Sequence, residues 1–178
     1  MIDFSNYQKF IPTDFNENSR VWIYQSNRVF SISEALQIEP ILENFITNWK
    51  SHGTPVKGFA NLLFGQFIIF MADESQCNVG GCSTDSSVRI VKQIEQEFKV
   101  DMFNRQNLAF ILKDKVQILP MTQMKYALEN KFIDIETLFF NNLVATKKEL
   151  ETNWIIPIKD SWLATRYNLT NQLSVSLN

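Results

Sequence analysis

The chain has 178 residues, a length that suits one compact domain with at most a small appendage. Hydrophobic residues make up 45% of it and charged residues 20%, which excludes a globally disordered chain. Lys and Arg number 17 against 19 Asp and Glu, so the net charge of −2 gives no broad attraction to nucleic acid or anionic lipid. We therefore expect a folded protein that binds neither.

Several protein classes are excluded by what the chain lacks. The longest apolar run, residues 67–72, is far shorter than the roughly 20 residues of a membrane-spanning helix, so we expect no membrane insertion. Residues 1–10 show no basic region followed by an apolar stretch, which predicts no signal peptide and a cytoplasmic location. With one His and two cysteines, Cys77 and Cys82, we expect neither a metal site nor a cofactor.

The first elements follow from local spacing. Residues 1–19 form a polar lead-in, and the alternation within residues 20–30 predicts a strand in the first half of that segment. Ser33 is the expected cap of a helix whose apolar residues recur at helical spacing as far as Trp49. Pro40 is expected either to kink this helix or to split it.

The middle of the chain predicts a hairpin and a second helix. Residues 56–64 and 66–72 read as two strands around a tight turn at Gly65. Residues 73–87 are the most polar and glycine-rich part of the chain, and helical spacing of apolar residues follows from Val88. This segment is therefore predicted to be a loop that leads into a helix N-terminus.

The last third predicts a smaller lobe. Residues 108–112 and 116–119 indicate another hairpin, and a short helix is expected over residues 122–130. Residues 121–167 are predicted to form a small C-terminal lobe with one or two strands, and residues 168–178 a flexible tail.

The order of these elements is strand, helix, strand, strand, helix, strand. This order predicts an α+β fold with a ferredoxin-like split β-α-β sandwich over residues 20–120, ahead of the C-terminal lobe. In such a sheet, the turn after the first helix and the loop before the second helix lie at the same end. His52 and the loop of residues 80–87 are thus expected to share one edge of the sheet.

This placement suggests a catalytic site. Cys82 stands just before the predicted helix, where the helix dipole and free backbone N–H groups favour a thiolate. His52 could act as its general base and Asp85 could orient that base, as in cysteine-dependent hydrolases and transferases. A structural interpretation is favoured, in which Cys82 is buried, Asp85 caps the helix and His52 caps carbonyl groups.

The same loop could bind a small anion. The backbone N–H groups of Gly81 to Ser83 and the hydroxyls of Ser83, Thr84, Ser86 and Ser87 are suitable donors. Ser, Thr and Asp also cluster at helix starts simply as caps, so this function remains an alternative.

Residues 53–58 carry two glycines at the spacing of a phosphate-binding P-loop. The motif requires Lys and then Ser or Thr directly after the second glycine, and Phe59 and Ala60 occupy those positions. We therefore expect that the chain does not hydrolyse ATP.

Aromatic and amide side chains are candidates for a partner-binding surface. A domain of this size buries most of its large rings, and only a surplus would be left for a partner. The candidates are Trp22, Tyr24, Phe140, Asn141, Asn142, Trp154 and Trp162.

Several motifs along the chain suggest a family. They are VWIYQSNR (residues 21–28), Trp49 with His52 and Gly53, GCSTDSS (81–87), FNNLV (140–144), and a tail with Trp154, Pro157 and Ser161–Leu163. Together they resemble a family of small bacterial proteins usually catalogued as "ABC transporter ATPase", over about residues 20–167. The resemblance implies that His52, Cys82 and Asp85 lie within family motifs. Because the ATPase motifs are missing, we expect that the chain is not a genuine ABC ATPase.

A second resemblance covers residues 116–158. A strand, Pro120, a short helix, KFIDIETL (131–138) and a later Trp154 with Pro157 are similar to GYF-type modules. This resemblance implies peptide binding.

The function that we predict is that of a cytoplasmic, non-catalytic interaction or regulatory protein with a protein partner. Two alternatives remain open. One is a small cysteine-dependent enzyme that uses Cys82, His52 and Asp85, and the other is an anion-binding accessory protein that uses the loop of residues 80–87. Whether Cys77 and Cys82 form a disulfide is also left open.

Overall fold

The computed structural model describes residues 4–75 and 81–169, with the backbone alone for residues 81–84. Helices and strands both occur in the described chain, which confirms the α+β class. Close contacts divide the chain into two compact units, each built from separate stretches of sequence. The N-terminal unit comprises Asp3–Asn104 and Asn142–Thr152, and the C-terminal unit comprises Met1–Ile2, Arg105–Asn141 and Asn153–Asn178.

The elements are numbered in chain order. The helices are α1 (Ile32–Asn48), α2 (Gly81–Phe98), α3 (Met124–Glu129), α4 (Lys147–Asn153) and α5 (Trp162–Arg166). The strands are β1 (Arg20–Gln25), β2 (Lys50–Ser51), β3 (Thr54–Pro55), β4 (Lys57–Leu63), β5 (Phe67–Asp73), β6 (Asn107–Leu112), β7 (Lys115–Pro120), β8 (Leu138–Phe140) and β9 (Ile155–Pro157). Short 3₁₀ turns occur at Tyr7–Phe10, Met121–Gln123 and Ile158–Asp160.

The N-terminal unit is built on an antiparallel sheet with the strand order β1–β5–β4. The central strand β5 is buried along its whole length, which explains its continuous apolar sequence. Strands β4 and β5 form the predicted hairpin around Gly65. Burying large apolar side chains contributes about 1.5–3 kcal/mol each, so this core is the main source of stability in the unit. Its large buried members include Phe30, Ile38, Leu42, Phe45, Trp49, Ile68, Phe70, Ile94 and Phe98.

Helix α1 begins with a capping box formed by Ser31 and Glu34. The Ser31 hydroxyl accepts a hydrogen bond from the Glu34 backbone N–H at 3.2 Å, and the Glu34 carboxylate accepts one from the Ser31 N–H at 2.7 Å. The predicted cap, Ser33, is therefore wrong by two positions. The helix continues through Pro40 without splitting.

Helix α2 begins earlier than predicted. Its first residue is Gly81, so residues 81–87 lie in a helix rather than in a loop. Ser87, Val91 and Ile94 are buried on this helix. Residues 81–87 include no Val, Ile, Leu, Met or aromatic residue, so the spacing of apolar residues could not mark the true start.

His52 lies in a hairpin turn and not at a helix end. The turn residues His52 and Gly53 join β2 to β3 and have φ angles of 49° and 84°. Two successive positive φ angles are typical of a type I′ turn, whose second position favours glycine. Helix α1 has already ended at Asn48, so the predicted capping role of His52 at the helix end is wrong.

The C-terminal unit is built on a second antiparallel sheet with the strand order β7–β6–β8–β9. Strand β6 was predicted to be the fourth strand of the ferredoxin-like sheet, but it pairs here with β7 and β8. The division between the units therefore falls after Asn104, ahead of this hairpin and not at residue 120. Strands β8 and β9 have three residues each, too few for alternation to identify them as partners of β6.

Candidate functional site

The chain enters the three-stranded sheet after the turn with His52, at the end of the sheet where β5 stops. The first residue of β4, Lys57, pairs with the last residue of β5, Asp73. The β2–β3 turn with His52 precedes β4, and the chain leads from β5 towards α2. The predicted proximity of His52 to residues 80–87 stays a prediction, because the described structure omits residues 76–80 between β5 and α2.

The predicted catalytic residues are placed only in part. His52 is exposed at its turn, and Asp85 is exposed in the second turn of α2. The backbone places Cys82 in the first turn of α2, but its side chain and the whole of Cys77 lie outside the described structure. The pairing of His52, Cys82 and Asp85 thus stays a prediction.

The predicted anion-binding residues now belong to the first two turns of α2. Gly81, Ser83 and Thr84 contribute backbone there, and their side chains lie outside the described part. Ser87 is completely buried, so its hydroxyl is closed to an anion from solvent, whereas Ser86 is partly exposed.

A charged cluster at the same sheet end ties the lead-in to the sheet. The buried Asp73 carboxylate accepts hydrogen bonds from the N–H groups of Ser75 (3.1 Å) and Asn16 (3.3 Å), and Lys57 Nζ lies 3.5 Å from it. Lys57 also pairs with Asp14 at 3.1 Å. Burial raises the pKa of Asp73, but these hydrogen bonds outweigh burial and lower it overall. The charged groups of the cluster are paired or hydrogen-bonded to one another and to the neighbouring backbone, so we assign the cluster a structural role.

Two predicted partner-binding residues of the C-terminal unit are buried. Phe140 and Trp154 are buried, and their rings pack edge to face with centroids 5.4 Å apart. Trp162 is half-buried and packs against Phe139 with centroids 6.2 Å apart. Phe140 and Trp154 are therefore closed to a partner, and Trp162 offers only part of its ring.

The other predicted partner-binding residues have internal contacts. Trp22 and Tyr24 are half-buried and pack edge to face on rings of the core. Asn142 donates a side-chain hydrogen bond to Gln25 at 2.8 Å. The Asn141 backbone N–H bonds the Trp154 carbonyl at 2.6 Å. The aromatic and amide set is thus largely structural.

Two strongly exposed apolar side chains of the N-terminal unit lie one helical turn apart on α1, and a third, Leu143, is 64% exposed in the segment before α4. Ile32 is 83% exposed and Leu36 is 63% exposed. Glu39 and Glu43 are also exposed and follow at the i+7 and i+11 positions, which fall on one side of an α-helix. We call these four residues, Ile32, Leu36, Glu39 and Glu43, the α1 stripe.

The α1 stripe was not predicted, because the apolar spacing that predicted α1 belongs to the buried face of the helix. That face carries Ile38, Leu42 and Phe45. A helical projection of the sequence would have placed Ile32 and Leu36 away from that face, with polar residues around them. Apolar residues outside the buried face were therefore the available signal.

A second exposed apolar feature lies in the C-terminal unit. Tyr126 and Phe132 are each more than 60% exposed, and their ring centroids are 6.1 Å apart. Because the two rings contact each other, part of their apolar surface is already covered.

Comparisons with known proteins give no relative. No protein-family model matches the chain, and no curated protein and no solved structure matches it either. Over residues 4–75 and 81–169, no helix is both long and apolar enough to cross a bilayer. Within the same residues, no three His, Cys, Asp or Glu side chains come together in a group that could hold a metal ion.

Proposed function

We propose that the protein is a non-catalytic interaction or regulatory protein that binds a protein partner through the α1 stripe. The observation that carries this proposal is the exposure of Ile32 and Leu36, one helical turn apart on α1. Fully burying an aliphatic side chain of this size contributes about 1.5–3 kcal/mol, so two neighbouring exposed ones can drive association.

The rigidity of α1 supports this role. Its first turn is fixed by the capping box and by Arg28, whose guanidinium contacts the Glu34 carboxylate at 2.7 Å and donates to the Phe98 carbonyl at 2.8 Å. A surface that is already ordered costs little conformational entropy when a partner binds.

The experiment compares partner capture by three immobilised full-length proteins. These are the wild type, the stripe variant Ile32→Gln/Leu36→Gln, and the control variant Gln37→Ala/Asn44→Ala, which changes exposed α1 residues outside the stripe. We expect a protein from the native cell lysate to be retained by the wild type and the control but lost from the stripe variant. Exposed substitutions shift stability by about 0.5 kcal/mol or less, so all three should unfold alike.

Equal capture by all three proteins, with unfolding unchanged, would show that the α1 stripe is not the binding surface. Loss of capture from the control variant as well would have the same meaning, because it would separate binding from the apolar residues.

The cysteine-dependent enzyme remains a second candidate, because the turn with His52 precedes β4, whose first residue pairs with the last residue of β5, the strand that comes before α2 in the chain. Its test is the alkylation rate of Cys82 against pH in a Cys77→Ser background, with and without His52→Ala. A thiol that reacts as a thiolate well below its ordinary pKa of about 8.5, and that slows when His52 is lost, would favour the enzyme. An ordinary thiol indifferent to His52 would leave Cys82 as a structural residue.

The proposal also includes the cytoplasmic location and the relationship to the bacterial family described above. The order β1–β5–β4, with helices α1 and α2, supports a ferredoxin-like origin for the N-terminal unit in three of its strands. The GYF-like resemblance of residues 116–158 falls mainly on the C-terminal unit, where peptide binding would involve the exposed pair Tyr126 and Phe132.

A further inference from the structure

We infer that the segment of the partner that docks on the α1 stripe is a basic amphipathic helix. This inference rests on the proposed function and adds the chemistry of the partner. It follows from the length of the stripe, from its charge, and from the poor fit of a second copy of the chain.

The geometry of the stripe fits a helix. Ile32, Leu36, Glu39 and Glu43 span three turns, or about 17 Å at a rise of 1.5 Å per residue. A continuous row of this length on one side of a helix matches the side-chain row of a second helix packed alongside. The apolar residues of the stripe lie in the first half of α1 and the acidic residues follow them. A partner helix therefore needs apolar residues opposite the first pair and charged residues opposite the second.

The charge of α1 calls for Lys and Arg on the partner. The helix contains three glutamates and no basic residue. Glu34 is committed to Arg28 and to the capping box. For Glu39 and Glu43, no Lys or Arg nitrogen of the described residues lies within 4.0 Å. These two carboxylates are therefore open to cations supplied by a partner.

The backbone adds a further acceptor beside the stripe. Pro40 has no N–H group, so the carbonyl of Leu36 lacks the hydrogen-bond donor that lies four residues further on in a regular helix. Pro40 is exposed, which leaves this side of α1 open to solvent. A Lys or Arg side chain that reaches Glu39 or Glu43 could also donate to this carbonyl.

A second copy of the chain fits this surface poorly. If two α1 helices packed in parallel, Glu39 and Glu43 would face the same carboxylates of the other copy. If they packed antiparallel over the full stripe, each pair of carboxylates would face Ile32 and Leu36. Like charges in contact and carboxylates buried against apolar side chains are both unfavourable, whereas a basic amphipathic helix avoids both.

The test uses synthetic peptides as the probe. Each is an Ala-rich helix of about 14 residues with two leucines and two lysines spaced to match the stripe, made in both orders along the chain. Matched peptides carry glutamate in place of lysine. Binding of each to the full-length protein is measured by fluorescence anisotropy.

We expect one of the lysine peptides to bind the wild type about tenfold more tightly than its glutamate counterpart, with affinity that falls as salt is added. In the variant Glu39→Lys/Glu43→Lys, the preference should reverse. In Ile32→Gln/Leu36→Gln, both peptides should bind at least about tenfold more weakly than to the wild type.

Three results would overturn the inference: equal binding of lysine and glutamate peptides, a preference that does not reverse in the charge-reversal variant, or no binding of any lysine peptide. If the stripe variant still loses the native partner in the capture experiment, the proposed function survives and only the basic helix is wrong. If capture is unaffected as well, the proposed function fails independently.

Discussion

Each unit is completed by a later segment of the chain that returns to it, and the contacts made by the two returning segments differ. In the N-terminal unit, the returning residues 142–152 are tied to the lead-in by polar contacts. The Tyr7 hydroxyl donates to the Leu150 carbonyl at 2.7 Å, and the Lys147 N–H donates to the Ser19 carbonyl at 2.8 Å. In the C-terminal unit, the returning chain supplies strand β9 and the buried Trp154. The returning segment of the N-terminal unit also buries the aliphatic side chains of Val144 and Leu150, whereas that of the C-terminal unit buries a large aromatic ring.

The hydrogen bonds and the buried aromatic side chain are expected to contribute different amounts to the free energy of unfolding. A hydrogen bond contributes about 0.5–1.5 kcal/mol net, because folding exchanges it for bonds with water. Truncating a buried aromatic side chain costs about 3–5 kcal/mol, because it removes apolar burial and leaves a cavity. We therefore expect the loss of the Trp154 side chain to destabilise the protein more than the loss of the Tyr7 hydrogen bond.

The units also differ in charge. The N-terminal unit holds ten Lys and Arg against fourteen Asp and Glu, a net charge of −4, and the C-terminal unit holds seven against five, a net charge of +2. The two values add up to the net charge of −2 of the whole chain, so the net charge alone does not show that the two units differ in sign. A basic partner helix would be attracted to the acidic unit, the one that carries the α1 stripe.

The largest effect is expected for Trp154→Ala. Trp154 is fully buried against Phe140, so the free energy of unfolding should fall by about 3–5 kcal/mol. Urea denaturation of the full chain measures the loss. Trp162→Ala, at a half-buried site in the same unit, is the control and should cost less. A loss under about 1 kcal/mol for Trp154→Ala would contradict the larger contribution assigned to this buried side chain.

A smaller effect is expected for Tyr7→Phe. This variant removes the hydrogen bond to Leu150 and leaves a buried carbonyl without that donor, at a cost of about 1–2 kcal/mol. The control is Tyr126→Phe, at an exposed site, which should be neutral. If Tyr7→Phe lowered the free energy of unfolding as much as Trp154→Ala, the Tyr7 hydrogen bond would not be the weaker of the two contributions.

Tyr7 also predicts an alkaline pH dependence. Burial, with a contribution from Glu151, raises the pKa of Tyr7 to about 12, compared with an ordinary value of 10.0. The folded state thus retains the proton more strongly, so this stabilisation is present below pH 10 and is lost as pH rises towards 12. The unfolding free energy of Tyr7→Phe should lack this loss. The same alkaline slope in both proteins would contradict the assignment.

The smallest effect is expected for Glu34→Gln at the start of α1. The hydrogen bond from Arg28, followed by those from Ser31, lowers the pKa of Glu34 to about 2 from its ordinary 4.5. The carboxylate therefore stabilises the fold above pH 4.5, and this contribution is lost as pH falls through about 2. The melting temperatures of wild type and variant should differ most near neutral pH and converge towards pH 2. Glu43→Gln, outside the capping box, is the control, and a constant difference at every pH would contradict the ionic origin.

Local patterns predicted much of the N-terminal unit. Alternation identified β1, helical spacing identified α1, and the strands flanking Gly65 form the expected hairpin. Each of these inferences uses interactions between residues that are close in sequence or that follow in order along one sheet.

The candidate site was harder to predict. The predicted rings Phe140 and Trp154 are core residues, whereas the exposed Ile32 and Leu36 were overlooked. An aromatic side chain carries no local mark of whether it is buried, because burial depends on what packs over it. The two aliphatic residues of α1 could have been recognised from their helical positions alone.

By itself, the sequence determined the α+β class and most element positions, since hydrophobic periodicity and capping act over a few residues. Only the tertiary structure decided that β6 leaves the first sheet for β8, and that residues 142–152 return to Tyr7 and Ser19. These pairings join residues up to 144 positions apart. Their choice depends on which of many long-range contacts buries the most apolar surface and satisfies the most polar groups, and no local pattern records that comparison.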